Sequence, residues 1–220
     1  MKKGLLRCPL FHGISEEELT GVLACLGAQT EHFAKGEIIL AEGEPARRLG
    51  ILLKGSAQVI REDYFGNRSI MTHLETADLF AEAFVCAGVE KMPLTVVAME
   101  DTEALLIDGR RILTTCSNAC NFHRQLIFNL MRILATKNLM CNQKIEITSK
   151  RSTREKLMAY LMIQAKKNQS TRFAIPYDRQ ELADYLEVDR SGLSSEIGKL
   201  RREGVLECRK NHFELLMEEP

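Results

Sequence analysis

Residues 178–206 read DRQELADYLEVDRSGLSSEIGKLRREGVL. The stretch holds two short helical patterns joined by a polar turn. Asp178 has the chemistry of a helix cap, and Glu181, three residues on, can reach back to the cap amide. Leu182, Ala183 and Leu186 then share one face. Glu187 and Val188 form the turn, with Val188 placed to fill the angle between the helices, and Asp189 is the second cap. Leu193, Ile197 and Leu200 recur at helical spacing and point inward. At about 100° per residue, Ser191, Ser195 and Arg202 lie opposite them. Ser194, Gly198 and Lys199 flank that outer face, Arg190 sits in the first turn, and Gly204 stops the helix. The layout predicts a helix-turn-helix whose second helix enters a DNA major groove.

The chemistry of the outer face suits that role. Small side chains allow close approach, hydroxyls bond base edges or phosphates, and arginine pairs with guanine. Beyond Gly204, Leu206, Cys208, Phe213 and Leu215 alternate about a polar tip at Lys210-Asn211, the pattern of a hairpin. Arg209, Lys210 and His212 would present cations on this wing. Phe173 to Pro176 reads as a short strand, and Ser152-Thr153-Arg154-Glu155 is a capping box opening a helix with Leu157, Tyr160 and Leu161 on one face. Residues 151–220 therefore read as a winged helix-turn-helix domain that binds double-stranded DNA.

The remaining composition is that of an ordinary globular protein, with 45% hydrophobic and 27% charged residues over 220 positions. Thirty Lys and Arg balance thirty Asp and Glu, so any affinity for DNA rests on local charge. From Arg190 to Lys210 there are six Arg or Lys against three Glu. No apolar run is long enough to span a bilayer, and Arg7 and Pro9 interrupt any signal-peptide core. No membrane partner is expected, and the expected compartment is the cytoplasm. Seven dispersed cysteines suit a reducing environment with free thiols.

Residues 33–107 carry short apolar alternations punctuated by glycine. Lys35-Gly36-Glu37, Glu42-Gly43-Glu44, Leu53-Lys54-Gly55 and a hairpin tip at Asp63-Tyr64-Phe65-Gly66-Asn67 mark the turns. Many short strands with regular turns predict a small sandwich or barrel. Residues 117–150 then contain neither Gly nor Pro and predict a helix of about 30 residues, some 45 Å long. One stripe runs Phe122, Leu126, Asn129, Ile133, Thr136, Met140, Gln143, Ile147, and a second apolar face carries Ile127, Leu130, Met131 and Leu134. One face would cover the β domain while the other pairs with a second copy. The first stripe, with Phe122, Leu126, Asn129, Ile133 and Met140, is the expected dimer seam, its polar members setting register.

The ordered set resembles the CRP/FNR family of bacterial transcription regulators: the Gly-marked turns, the long helix, then Arg179-Gln180-Glu181-Leu182 through Arg190-Ser191. The resemblance covers nearly the whole chain. It implies an α+β fold with an N-terminal β-roll of the double-stranded β-helix or jelly-roll type over residues 1–116. A dimerisation helix would follow over 117–150, and the winged helix over 151–220. It also implies a homodimer that binds a pseudo-palindromic promoter site, contacts RNA polymerase, and is not an enzyme. Arg179 and Gln180 match family positions that hold phosphate, while Arg190, Ser191 and Ser195 match positions that read bases. Many members carry Arg where this chain has Ser195, which implies a different base preference. The expected DNA-binding set is Arg179, Gln180, Arg190, Ser191, Ser194, Ser195, Lys199, Arg202, Arg209 and Lys210.

Cyclic-nucleotide-binding relatives carry Gly-Glu-Leu and, further on, Arg-Ser-Ala around the cyclic phosphate. Here the matching stretch is Phe80-Ala81-Glu82-Ala83-Phe84 and Met92-Pro93-Leu94-Thr95. Glu82 is retained, but Ala81, Met92 and Pro93 stand at the Gly, Arg and Ser positions. A buried phosphate without a cation is poorly compensated, and Pro93 lacks an amide donor. This argues against cyclic AMP. Phe80, Phe84, Met92 and Leu94, with Ala81, Glu82 and Pro93, would line an apolar effector pocket or simply fill the roll. No cofactor is expected. Cys8 and Cys25 stand too far apart for the family's iron–sulfur pattern. Cys116 and Cys120, with His123 one turn on, offer an alternative metal or thiol switch, against the reading of small core residues. A cupin-like enzyme would need clustered histidines, and His12, His32, His73, His123 and His212 are scattered.

Overall fold

The computed structural model describes residues 2–62, 68–113 and 121–216. The hairpin tip at 63–67 and the pair Cys116 and Cys120 lie outside the described residues. Two compact units meet between Thr136 and Lys137. The division falls inside a helix that belongs in part to each.

Unit 1 begins with α1 (Lys2–Leu5), a 3-10 turn at Pro9–Phe11, and α2 (Glu16–Leu26). Ser15 and Glu18 form a reciprocal capping box on α2, and Gly27, at φ +58°, ends it. The roll follows as β1 (Gln29–Phe33), β2 (Ile38–Leu40), β3 (Arg48–Lys54), β4 (Ala57–Glu62), β5 (Arg68–Leu74) and β6 (Leu79–Phe80). Then come α3 (Glu82–Cys86), β7 (Thr95–Ala98), β8 (Thr102–Asp108) and α4 (Gly109–Leu113). Two four-stranded antiparallel sheets result, ordered β1-β8-β3-β6 and β2-β7-β4-β5.

The strands β3 and β8 are buried on both faces, which explains their continuous apolar runs. With period two, Leu49, Ile51, Leu105 and Ile107 meet the helices, whereas Leu52, Ala104 and Leu106 fill the roll. The helical layer against the first set comprises α2 and the first half of α5 (Asn121–Thr148), through Leu126, Leu130 and Ile133. Gly50 is required where it stands: a Cβ there would lie 2.0 Å from Cζ of Phe80, whose ring packs onto the glycine backbone.

Unit 2 contains the end of α5, α6 (Thr153–Asn168), β9 (Arg172–Ala174), α7 (Arg179–Leu186), α8 (Arg190–Arg202), β10 (Leu206–Arg209) and β11 (His212–Leu215). Capping boxes Ser152/Glu155 and Asp178/Glu181 open α6 and α7. The three strands pair in the order β10-β11-β9. Leu157, Tyr160, Leu161, Leu182, Leu186, Leu193, Ile197, Leu200, Leu206 and Phe213 form one core, with Val188 packed against it at the interhelical angle. Full burial of each such aliphatic side chain contributes about 2 kcal/mol against the cost of ordering the chain. The mixed helix-and-sheet architecture, with β-sheet domain, long helix and winged helix in that order, is the one expected from the sequence.

Candidate nucleic-acid interface

The turn between α7 and α8 is built by a non-glycine residue. Glu187 takes φ +53°, and its amide bonds the carbonyl of Asp184. Lys156 Nζ reaches the Glu187 carbonyl at 3.3 Å, tying α6 to the turn. Asp189 then caps α8, its Oδ1 accepting from the amides of Ser191 at 2.8 Å and Gly192 at 3.0 Å. The Ser191 hydroxyl donates to the same carboxylate oxygen. That hydroxyl bond, with the two amide bonds, holds the Asp189 carboxyl below its ordinary range.

Leu193, Ile197 and Leu200 are buried, so α8 presents Arg190, Ser191, Ser194, Ser195, Lys199 and Arg202 to solvent. Their electrostatic situations differ. Among the described residues the side chains of Arg190, Ser194 and Ser195 have no hydrogen-bond or ion-pair partner. Lys199 pairs with Glu196 at 3.2 Å, Arg201 with Glu207 at 3.2 Å, and Arg202 Nε donates to the Gly198 carbonyl at 3.3 Å. Arg154, on α6, forks onto Glu203 and also reaches Glu196 at 3.7 Å. In the second half of α8, Lys199 and Arg201 are thus paired with carboxylates, while Arg202 keeps its charge and bonds a backbone carbonyl.

On the wing, Arg209 and Lys210 are exposed, and Lys210 sits at φ +56° in the two-residue turn between paired Arg209 and His212. Asn211 anchors this tip by exchanging two bonds with Ile175: the Ile175 amide donates to the Asn211 carbonyl at 2.9 Å, and Asn211 Nδ2 donates to the Ile175 carbonyl at 2.9 Å. Arg179 is half-buried and turned into the wing. Its Nη2 donates to Cys208 Sγ at 3.3 Å, and its guanidinium lies 5.9 Å from the Phe213 ring centroid. Gln180 is exposed and bonds Asp184 at 2.8 Å.

The long helix departs from the expected seam. Leu126 is 0% exposed, Asn129 2% and Ile133 9%, all buried against unit 1's own core, with Phe122 half-buried beside them. Leu126, Asn129 and Ile133 thus make core contacts within their own chain, whereas Phe122 keeps part of its surface. Asn129 has a specific task there: its Nδ2 donates to the carbonyls of Leu10 and His12, each at 2.8 Å. Met140, further along the helix, is exposed. The face of α5 opposite the core carries Phe128, 50% exposed, Met131, 56% exposed, and Ala135 at spacings of three and four. Leu139 continues that row and is also exposed. The second apolar face read from the sequence is itself split: Leu130 is buried and Leu134 packs against the core, while Met131 is exposed.

In the roll, Phe80 and Met92 are buried in its packed core with Leu52, Val96 and Leu106. Ala81, at φ +63°, precedes α3, and Glu82 is buried. Phe84, Pro93 and Leu94 are half-buried, and the Met92 amide donates to the Glu44 carbonyl at 2.7 Å. His123 is buried; its Nε2 bonds the Arg111 carbonyl at 3.0 Å, so Nε2 carries the proton. Among the described residues no three His, Cys, Asp or Glu side chains gather as a metal site, and no helix is long and apolar enough to cross a membrane.

A cyclic nucleotide-binding domain family matches residues 30–119, and a Crp-like helix-turn-helix domain family matches residues 155–219. The chain belongs to the CRP/FNR family. That family consists of transcription regulators rather than enzymes. A CRP-like cAMP-activated global transcriptional regulator of Mycobacterium tuberculosis is 26% identical over 140 residues, 63% of this chain and 60% of that protein. The match thus spans less than two thirds of the relative's length. Two solved structures share the fold. The catabolite activator protein of Thermus thermophilus is 21% identical, with TM-score 0.50 and coverage of 94% of this chain and 93% of its own. The c-di-GMP responsive global regulator CLP of Xanthomonas campestris is 15% identical, with TM-score 0.61 and coverage of 93% and 100%. This CRP/FNR member keeps the family architecture with Ser191 and Ser195 on its outward helix face.

Proposed function

We propose that this protein is a homodimeric transcription regulator that binds a pseudo-palindromic promoter site in duplex DNA and contacts RNA polymerase there, in the cytoplasm. The observation that carries the reading is the outer face of α8, where the side chains of Arg190, Ser194 and Ser195 have no partner among the described residues and stand opposite a buried apolar row. Unpartnered donors on an exposed helix are what base edges and phosphates require. Residues 1–116 would serve as sensor, 117–150 as the pairing helix, and 151–220 as the DNA-binding part. Arg179, Gln180, Arg209, Lys210, Lys199 and Arg202 would contribute backbone contacts around the base-reading group.

Pairing would run along Phe128, Met131, Ala135 and Leu139 rather than along the buried row. Twofold pairing sets the two α8 helices to read two half-sites. The mycobacterial relative is named as cAMP-activated. The roll here supports a different signal, because Met92 and Pro93 supply neither a cation nor a spare amide to a phosphate.

Selection of bound duplexes from a random pool, followed by gel shift of the enriched sequence, tests the reading. A twofold-symmetric sequence should emerge, with affinity falling steeply with salt. A pool with no enrichment would refute it. Light scattering should show a dimer that Phe128→Asp with Met131→Asp converts to single chains, and titration calorimetry with cyclic AMP should show no sub-micromolar binding.

A further inference from the structure

We infer that Asp189 is a specificity-determining positioning residue: it makes Ser191 a pure hydrogen-bond acceptor toward DNA, so that Ser191 selects an exocyclic amino group, adenine N6 or cytosine N4. The inference rests on the DNA-binding reading and deepens it. A serine hydroxyl has one proton and two lone pairs, and alone it reads either donors or acceptors. Here the choice is already made. An ionised carboxylate has no proton to give, so in the contact between Ser191 Oγ and Asp189 Oδ1 the hydroxyl must donate. Oδ1 is anchored in turn by the amides of Ser191 and Gly192, which leaves the carboxylate no freedom to swing away while α8 stays capped. The exposed lone pairs of Ser191 Oγ then face the groove.

The surroundings concentrate readout at this end of the helix. Lys199, Arg201 and Arg202 are engaged by Glu196, Glu207 and the Gly198 carbonyl. Arg190, beside Ser191, is unpartnered among the described residues. Helix N-terminal residues are the ones that reach base edges in this docking mode. The first turn of α8 thus offers a donor fork, Arg190, suited to guanine O6 and N7, next to a fixed acceptor. Major-groove acceptors pair only with the amino groups of adenine and cytosine.

The test uses the full-length protein and its selected duplex. The base pair read by Ser191 is located as the one whose preference Ser191→Ala abolishes. At that pair two analogue duplexes are made. One removes the amino group, with purine for adenine or 2-pyrimidinone for cytosine. The other removes the carbonyl oxygen, with 4-deoxythymine for thymine or 2-aminopurine for guanine. The wild type should lose about 3- to 10-fold in affinity on loss of the amino group and under 2-fold on loss of the carbonyl, the range of one hydrogen bond. Asp189→Asn, whose Oδ1 still accepts the hydroxyl, should behave as the wild type. Asp189→Gly keeps most of the capping stability but frees the hydroxyl, so its preference at this pair should fall below 2-fold. Dependence on the carbonyl oxygen in the wild type would overturn the inference. So would an Asp189→Gly protein indistinguishable from the wild type, or an unchanged set of preferences in Ser191→Ala. Failure of the DNA-binding reading looks different: the wild type would then enrich no duplex at all.

Discussion

Replacing Asn129 by alanine discriminates between its two possible uses. On α5 it spaces as a polar member of a dimer seam, yet it donates to the carbonyls of Leu10 and His12 within its own chain. The bond to Leu10 is buried, and alanine would strand that carbonyl at a cost of about 1–3 kcal/mol. The bond to His12 is only partly buried, so water takes over and about 1 kcal/mol is lost. Gln125, which donates to Asn129 Oδ1 at 3.0 Å, is half-exposed and rehydrates. Alanine's better helix propensity returns roughly 0.5 kcal/mol. The net expectation is a loss of about 2–3 kcal/mol, or roughly 5–10 °C in melting temperature for a chain of this size. Urea denaturation across a hundredfold range of protein concentration measures it, with amide exchange followed at residues 10–14. The loss should be independent of concentration, and exchange at 10–14 should accelerate. A loss that disappears at high concentration, with the 10–14 amides unchanged, would return Asn129 to the seam and refute the clamp.

Glu187→Gly should stabilise unit 2 by about 1 kcal/mol in the same assay, because Glu187 occupies φ +53° and its contact with Lys156 uses only the backbone carbonyl. Gly50→Ala should cost at least 2 kcal/mol by overpacking, since the added carbon lands on the Phe80 ring; a smaller loss would mean the ring has room to move. Arg190→Ala should weaken binding by about 1–3 kcal/mol and relax preference at one position, whereas Lys210→Ala should weaken all sequences alike. Competition gel shifts separate the two patterns. The Asp189 carboxyl titrates below its ordinary 3.8, so the folded state binds fewer protons there than the unfolded chain. Its stabilising effect is therefore present above that value and is lost as pH falls through the depressed one. Acid unfolding of Asp189→Asn should lack this component.

Local order was legible in the residues. The caps at Ser152, Asp178 and Asp189 and the wing tip at Lys210-Asn211 all follow from short-range chemistry and stand in the structure as read. The strands of the roll were legible because glycine turns bracket them. The box Ser15/Glu18 carried the signal for α2, although that helix lies outside the glycine-marked region on which the fold reading drew. Arg179, matched to a phosphate contact, also rests against Cys208 and Phe213, because β10 and β11 bring the wing over the start of α7.

What the amino-acid order settled by itself was thus the order of β domain, long helix and winged helix, the family, and the small polar face of α8, each marked by short-range patterns. Tertiary structure alone decided which side of α5 is interior. On a helix with apolar residues at many positions, spacing alone does not say which are interior until α2 and the Leu10–His12 segment, over a hundred residues earlier, come to lie on one side of it. That pairing of distant segments leaves Phe128 and Met131 outside and makes Asn129 part of the core.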